Sequence, residues 1–570
     1  MEKFKLEIAE GIAEILEKDT NEIIEAIEKP KDEKMGDFAY PCFRLSKELK
    51  KSPVQIAEEI KEKFVVTENI EKIEVVSGYL NFFINTRKVV KNIMSEIMEK
   101  KESYLESIEG TGKNVCIDYS APNIAKPFHI GHLRSTVIGK AIYNIYKKLG
   151  YNVIGINYLG DFGTQFGLVI EGYKRWGKEY NLEKDPIKCL VEIYVRTNEA
   201  AKEDETIKEN ARANFKALEK GEAEVTEMWE RFRELSLKEY ERIYNVLDVT
   251  FDSYNGEAYY NDKMDEVVDI LKEKNVMVES EGAMVVELEG HEMPCMILKS
   301  NGSTTYTTRD LAAALDRKRV YDFDKSIYVT SYEQILHFTQ MFKVADHIVG
   351  EKYARKMVHV PFGMVLGKGG KKISTRGGAN ATLEDILNEA IVKSKEILEE
   401  KGKALDNIDE ISRMIGVGAI IFNDLKNNRI KDEIFNLEDM LKFEGETGPY
   451  VQYMYVRTKS ILEKSKVNEE DYKSTNLMFE LLKEKEEITL IKELSRVKEV
   501  IKQAASEYEP SLITRYVIDI ASLFSKYYNE HQIIIEDKEL MKARLALVYA
   551  TNMVIKECLE ILGIKCPDKM

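Results

Sequence analysis

In "SAPNIAKPFHIGHLRST", residues 120–136, His129 and His132 lie three positions apart, Gly131 precedes the second, and Lys126 stands just upstream. On a helix that spacing is about one turn, so the two imidazoles share a face. Together they offer two donors that suit phosphate oxygens. Gly131 removes the side chain that would block a nucleotide lying against the backbone. "KNVCIDYS" before this stretch reads as a short buried strand, and a helix begins near His129. Strand, loop and helix N-terminus are where open α/β sheets take phosphates, because free amides and the helix dipole both favour an anion. A lone histidine more often caps or packs a helix, but the HxGH spacing in this setting points to chemistry. A metal would need a third ligand, and the segment has no Glu or Cys to supply it.

A second stretch with chemical content is "GKGGKKISTRGG", residues 367–378, where glycines flank basic residues and Ser374. Alone it is a flexible, solvated turn. Beside the histidine motif it becomes a loop able to close on polyphosphate.

The elements that must position these groups follow from periodicity. "HLRSTVIGKAIYNIYKKLG" is a helix stopping at Gly150, "YNVIGINYLGD" a second strand, and "KSIYVTS" and "KMVHVPFGMVLG" later strands flanked by helices. Strands alternating with helices imply parallel βαβ units, hence a Rossmann-like, doubly wound α/β core over residues 109–380. The charged helical run at 172–245 reads as an insertion between the two halves of that sheet. Residues 1–108 read as an α+β module: "FKLEIAEGIAEIL" and "SPVQIAEEIKEKF" are helical, the second opened by Ser52 and Pro53, "IEKIEVVSGYLNFFIN" forms strands around Gly78, and a long helix runs through "IMSEIMEKKESYLE". From residue 381 to 570 the period is helical, an all-α bundle.

These motifs carry a resemblance. HIGH followed by a KMSKS-like loop looks like the class I aminoacyl-tRNA synthetases. "SAPNIAKPFHIGHLRSTVIG", "YLGDFGTQFG", "TTYTTRDLAAAL", "YVTSYEQILHFTQMF", "GMVLGKGGKKISTRGG", "ETGPYVQYMYVRTKSIL" and the terminal "LGIKCPDKM", in this order, resemble the arginyl-tRNA synthetase family over nearly the whole chain. "KISTR" departs from KMSKS in having Thr375 where the second lysine belongs, a loss that the family accompanies by a lysine at the position of Lys126.

The resemblance implies an arginine–tRNA ligase. It would form arginyl-adenylate from L-arginine and ATP with Mg2+, only with tRNA(Arg) bound, and pass arginine to the terminal adenosine 2′-hydroxyl. Lys126, His129, His132, Lys372 and Ser374 would be catalytic, with His129, Gly131, His132 and Lys372 on ATP. Asp118, Asn123, Tyr306, Asp310 and Gln334 would bind arginine. For a guanidinium the chemistry agrees, since a carboxylate can accept two of its N–H groups side by side. Asp310, four residues after Tyr306, shares its helix face, and Ala313 and Ala314 leave space on the neighbouring turn. Such a pocket should reject lysine and citrulline, which leave buried acceptors unpaired, with nearly isosteric canavanine the weak point. The 1–108 module would contact tRNA through Asn81, while Phe82 and Phe83 read as core. Tyr450, Tyr453, Tyr527, Tyr528 and Met570 would contact the anticodon side, aromatics stacking on unstacked bases.

Composition bounds rather than selects. The length, 570 residues, gives room for roughly three or four domains. A net charge of −16 leans against a general nucleic-acid binder without forbidding a local basic stripe. Cysteines 42, 116, 189, 295, 558 and 566 form no CxxC pair, which argues against a disulfide framework and a structural zinc. There is no long apolar run and no signal peptide, so a cytoplasmic, membrane-independent protein is expected, and the resemblance implies a monomer. Two other classes compete: a non-catalytic synthetase-like paralogue that binds tRNA or senses arginine, and a stand-alone nucleotidyltransferase. The first has little reason to keep Lys126, His129, His132 and Lys372 together, and the second none to carry the flanking modules.

Overall fold

The computed structural model describes residues 1–30, 32–367, 382–400 and 406–570. The expected phosphate groups Lys372 and Ser374 lie outside the described residues. The chain divides into two compact units: Met1–Leu105 with Met454–Val500 and Tyr516–Glu557, and Glu106–Tyr453 with Ile501–Arg515 and Cys558–Met570. Residues 381–453 therefore group with the sheet-bearing unit.

In the first unit, Ser52 and Gln55 form a reciprocal capping box that starts helix Pro53–Lys63. Strands Ile70–Val76 and Tyr79–Ile84 are joined by Ser77 and Gly78, both at positive φ, the two-residue turn that matches strand twist. Phe38–Pro41 completes an antiparallel sheet on the other side of Tyr79–Ile84. Helix Thr86–Lys100 ends earlier than the charged pattern suggests: Lys101 takes φ 46° and a 3-10 turn, Lys101–Leu105, follows. Tyr104 and Leu105 are thereby buried rather than carried on along a helix face. Among the later helices, Arg544 meets the fully buried Glu487 at 2.8 Å.

The second unit is built on four parallel strands in the spatial order Met357–Phe362, Lys325–Ser331, Asn114–Asp118, Asn152–Ile156. The first strand in sequence has the second on one side and the third on the other, so the topology switches between Asn114–Asp118 and Lys325–Ser331. A crevice opens at the carboxyl ends of strands at such a point. Helix Ile130–Lys148 follows the first strand and stops at Leu149, with Gly150 at φ 85°. Helices Thr164–Trp176, Pro186–Glu203, Glu205–Glu219 and Ala223–Leu247 form the insertion, which begins earlier than the charge pattern indicates. A small antiparallel sheet, Met277–Ser280, Ala283–Val286 and Cys295–Leu298, was not evident in the sequence, because its strands are four residues long and lack a clean alternation. Val365–Leu366 leaves the main sheet and pairs with Glu433–Ile434.

Arg134, on the first-strand helix, is fully buried, 2.9 Å from Asp424 and 2.7 Å from the Lys431 carbonyl. Burial raises the Asp424 carboxyl to about 6 against the pull of Arg134. Removing one partner strands the other charge without water. Asp424→Ala is therefore expected to cost about 3–5 kcal/mol, read as a lowered midpoint in urea unfolding.

Candidate active site

The loop from Ser120 to Lys126 connects the switch-point strand to the histidine helix, and its backbone is strained. Ser120, Ala121 and Ala125 have φ of 73°, 42° and 59°, values that L side chains rarely adopt. Side chains pin it there. The Ser120 amide donates to Ser135 Oγ at 2.9 Å, and Ser120 Oγ lies 2.8 Å from both Thr136 Oγ1 and the Tyr244 hydroxyl. The Ala125 amide donates to Ser236 Oγ, and the Tyr240 hydroxyl lies 2.7 and 2.8 Å from the carbonyls of Asn123 and Lys126. Ser236, Tyr240 and Tyr244 all belong to the insertion helix Ala223–Leu247.

His129 is the N-cap of helix Ile130–Lys148. Its Nδ1 accepts from the Gly131 amide at 3.1 Å, and its own amide donates to His132 Nδ1 at 3.2 Å. The rings stack with centroids 3.8 Å apart. Burial, then the neighbouring His129 and Lys126, pushes His132 down to about 3; burial and Lys126 also lower His129. Both rings are thus neutral, with Nδ1 accepting, so each carries its proton on Nε2. At this helix start the Gly131 and His132 amides are already taken, by His129 Nδ1 and the His129 carbonyl, so the imidazole N–H groups add donors to what the helix N-terminus offers. It also gives Gly131 a second reason, because a Cβ there would meet the His129 ring at 2.9 Å. Thr382 bridges to His129, and the Leu383 amide donates to the Phe128 carbonyl. The described chain after residue 381 thus resumes beside the histidines.

At the switch point, a cavity of about 470 Å³ is lined by Asp118, Asn123, Tyr306, Asp310 and Gln334, all five of the residues expected to bind arginine. Thr305 caps the helix Tyr306–Tyr321 that carries two of them, and Gln334 precedes helix Ile335–Val349. Asp118 is buried and faces Arg317 at 2.7 Å. Burial drives its carboxyl up while Arg317 opposes. For Arg317 burial is the largest single influence and works against the charge, but Asp118 together with Tyr328 and Tyr260 outweighs it, leaving the guanidinium well above its usual range. Asp310 is 2.7 Å from His337 Nε2. The motif reading had not singled out Arg317, His337, Glu257 or Glu333, which line the same cavity. Burial pushes Glu257 up to about 7, opposed by Arg309 at 3.5 Å. Nothing local in the sequence signals Arg317 or Glu257, since their partners are remote in the chain, whereas His337 lies within a motif already noted. With Arg317 neutralised by Asp118, the acidic groups dominate the wall.

The residues expected to meet RNA differ in exposure. Asn81 is buried in its strand, paired with Ala39 and Glu74; Phe82 is core. Tyr527 is fully buried, so a base could not stack on it without displacing the surrounding helices, and Met570 is 7% exposed. Tyr450, Tyr453 and Tyr528 are half-buried, and Arg457 lies 4.2 Å over the Tyr528 ring.

Comparison with known proteins bears directly on this arrangement. Residues 93–437 match the model of the class I tRNA synthetase (R) catalytic domain, residues 451–570 the DALR anticodon-binding domain, and residues 2–84 the arginyl-tRNA synthetase N-terminal domain. The chain belongs to the arginyl-tRNA synthetase family. It is 49% identical to the arginine–tRNA ligase of Clostridium beijerinckii, over 98% of this chain and 99% of that one. It is 48% identical to the enzyme of that name from Clostridium botulinum, over the full length of both. The crystal structure of arginyl-tRNA synthetase from Plasmodium falciparum superposes with a TM-score of 0.81 at 26% identity, covering 95% of this chain and 94% of that one. No helix among the described residues of this synthetase is long and apolar enough to cross a membrane.

The buried imidazoles make folding pH-dependent. His132 and His359, the latter lowered to about 4 mainly by burial, stay neutral below the ordinary 6.5 at which the unfolded chain takes up protons. Stability is therefore full above that value and falls as pH drops, by up to about 1.4 kcal/mol per pH unit for each group. Urea midpoints at pH 6.5 and 5 should show this decline, and His132→Gln should make it shallower.

Proposed function

We propose that the chain is an arginine–tRNA ligase that joins L-arginine to ATP, releasing pyrophosphate, and passes the arginyl group to the 2′-hydroxyl of the terminal adenosine of tRNA(Arg). The observation that supports this best is the acidic cavity at the switch point, fed by the same strained loop that carries Lys126 and the two histidines. The guanidinium lies against Asp310, with Tyr306 and Gln334 beside it, and Asn123 receives the amino-acid end. Asp118 acts chiefly by cancelling Arg317, since an uncompensated guanidinium in the wall would repel the substrate.

Held there, the arginine carboxylate attacks the α-phosphorus. The His129 and His132 Nε2–H groups and Lys126 meet the charge that grows on the phosphate oxygens, and being neutral, the histidines donate without a proton having to leave. Lys372 and Ser374 add to this from the 367–378 stretch. Imidazole N–H and ammonium groups suit phosphate oxygens rather than a resident cation, so Mg2+ would come bound to ATP, as part of the substrate, and would supply charge neutralisation there. We further propose that tRNA must be bound before arginine is activated, and that the enzyme works as a cytoplasmic monomer. Tyr450, Tyr453 and Tyr528 are the better-placed candidates for RNA, being only half-buried, and Asn81, Tyr527 and Met570 would act from within.

Arginine-dependent ATP–pyrophosphate exchange, run with and without tRNA and with lysine and citrulline as controls, tests this. Exchange with arginine and tRNA together is the expected result; none from folded protein would favour the non-catalytic paralogue. Lys126→Ala should lower kcat by about 10²–10³-fold with little change in the arginine KM. Asp310→Asn should raise the arginine KM by roughly tenfold or more, because it exchanges a charged acceptor for a neutral one.

A further inference from the structure

We infer that His337 is a positioning residue of the arginine site, one ring that fixes both the Asp310 carboxylate and the Tyr306 side chain. The inference rests on the proposed role of Asp310 and goes beyond it.

Asp310 sits on the second turn of its helix with a carboxylate free to rotate unless something holds it. His337 Nε2 lies 2.7 Å from Asp310 Oδ2. A carboxylate oxygen only accepts, so Nε2 carries the proton and donates. That bond occupies Oδ2 and leaves Oδ1 for a guanidinium N–H. The same imidazole packs against Tyr306, ring centroids 5.0 Å apart at 54°. Tyr306 is 66% exposed, so its direction depends heavily on such contacts. One side chain thus orients two cavity residues that are a helical turn apart.

His337 is itself held. It lies in the first turn of helix Ile335–Val349, three residues after Gln334, so a single helix start delivers both to the cavity. The adjacent Phe338 stacks on His359 with centroids 4.6 Å apart, and His359 Nε2 lies 2.8 Å from Thr330 Oγ1. This buttress joins two parallel strands of the sheet, so the His337 backbone is fixed by the core rather than by a loop. The His337 and Asp310 side chains remain 13% and 22% exposed, open to the cavity rather than sealed in a packing role.

The test compares full-length variants in tRNA arginylation, with thermal melting to confirm folding. His337→Phe keeps a ring against Tyr306 and removes the donor. It is expected to raise the arginine KM about tenfold while leaving kcat and the ATP KM within about twofold. His337→Gln, which restores an N–H donor, should recover most of the loss. In an Asp310→Asn background, His337→Phe should add little, because the partner it orients is gone. Should His337→Phe not fold, His337→Asn, whose shorter amide cannot reach Asp310, carries the same expectation. An unchanged arginine KM in His337→Phe, with a raised one in Asp310→Asn, overturns this inference alone. So do effects of the two substitutions that multiply independently, or a parallel loss of kcat and both KM values. An unchanged KM in Asp310→Asn overturns the site assignment and this inference together.

Discussion

The strained loop between the first parallel strand and the histidine helix is the constraint on which the rest depends. Three residues there, none of them glycine, hold positive φ, which costs on the order of 1–3 kcal/mol each and persists only where the surroundings impose it. Hydroxyls impose it: Ser135 and Thr136 from the helix that follows, and Ser236, Tyr240 and Tyr244 from the insertion. The helical insertion is therefore part of what holds the candidate site's loop rather than an appendage. By bending the chain at Ser120 and Ala125, these contacts place Asn123 in the cavity wall and lead the same loop on through Lys126 to His129.

Charge is then managed by burial. The two histidines give up their protons because they are desolvated beside each other and Lys126, which turns them from cations into fixed N–H donors. Asp118 and Arg317 cancel within the cavity wall, and Arg134 and Asp424 do the same behind the histidine helix. Neither pair is a source of much net stability, since desolvation offsets attraction, but each fixes an orientation and penalises alternatives. What remains uncancelled at the cavity is acidic, which would suit the guanidinium proposed to bind there.

Much of this was legible before the structure. The HxGH spacing, the strand before it and the helix after it depend on local rules of periodicity and capping, and Asp310 falls four residues after Tyr306 on one helix. The resemblance of the motifs to arginyl-tRNA synthetases agrees with matches over the length of the chain. Less visible were the small antiparallel sheet, whose strands are short and partly exposed, and the early end of helix Thr86–Lys100, where Lys101 turns left-handed although its sequence remains helix-compatible.

The sequence by itself determined the residue types, the strand–loop–helix succession around the histidine motif, and the family. Only the tertiary structure decided which groups face one another. That Arg317 would neutralise Asp118, that Tyr240 would reach the carbonyls of Asn123 and Lys126, and that His337 would meet Asp310 could not be read from spacing. Those partners are separated by 199, by 117 and 114, and by 27 residues. Local propensity acts over a few residues, whereas a side chain's charge state and direction are set by what the fold packs against it.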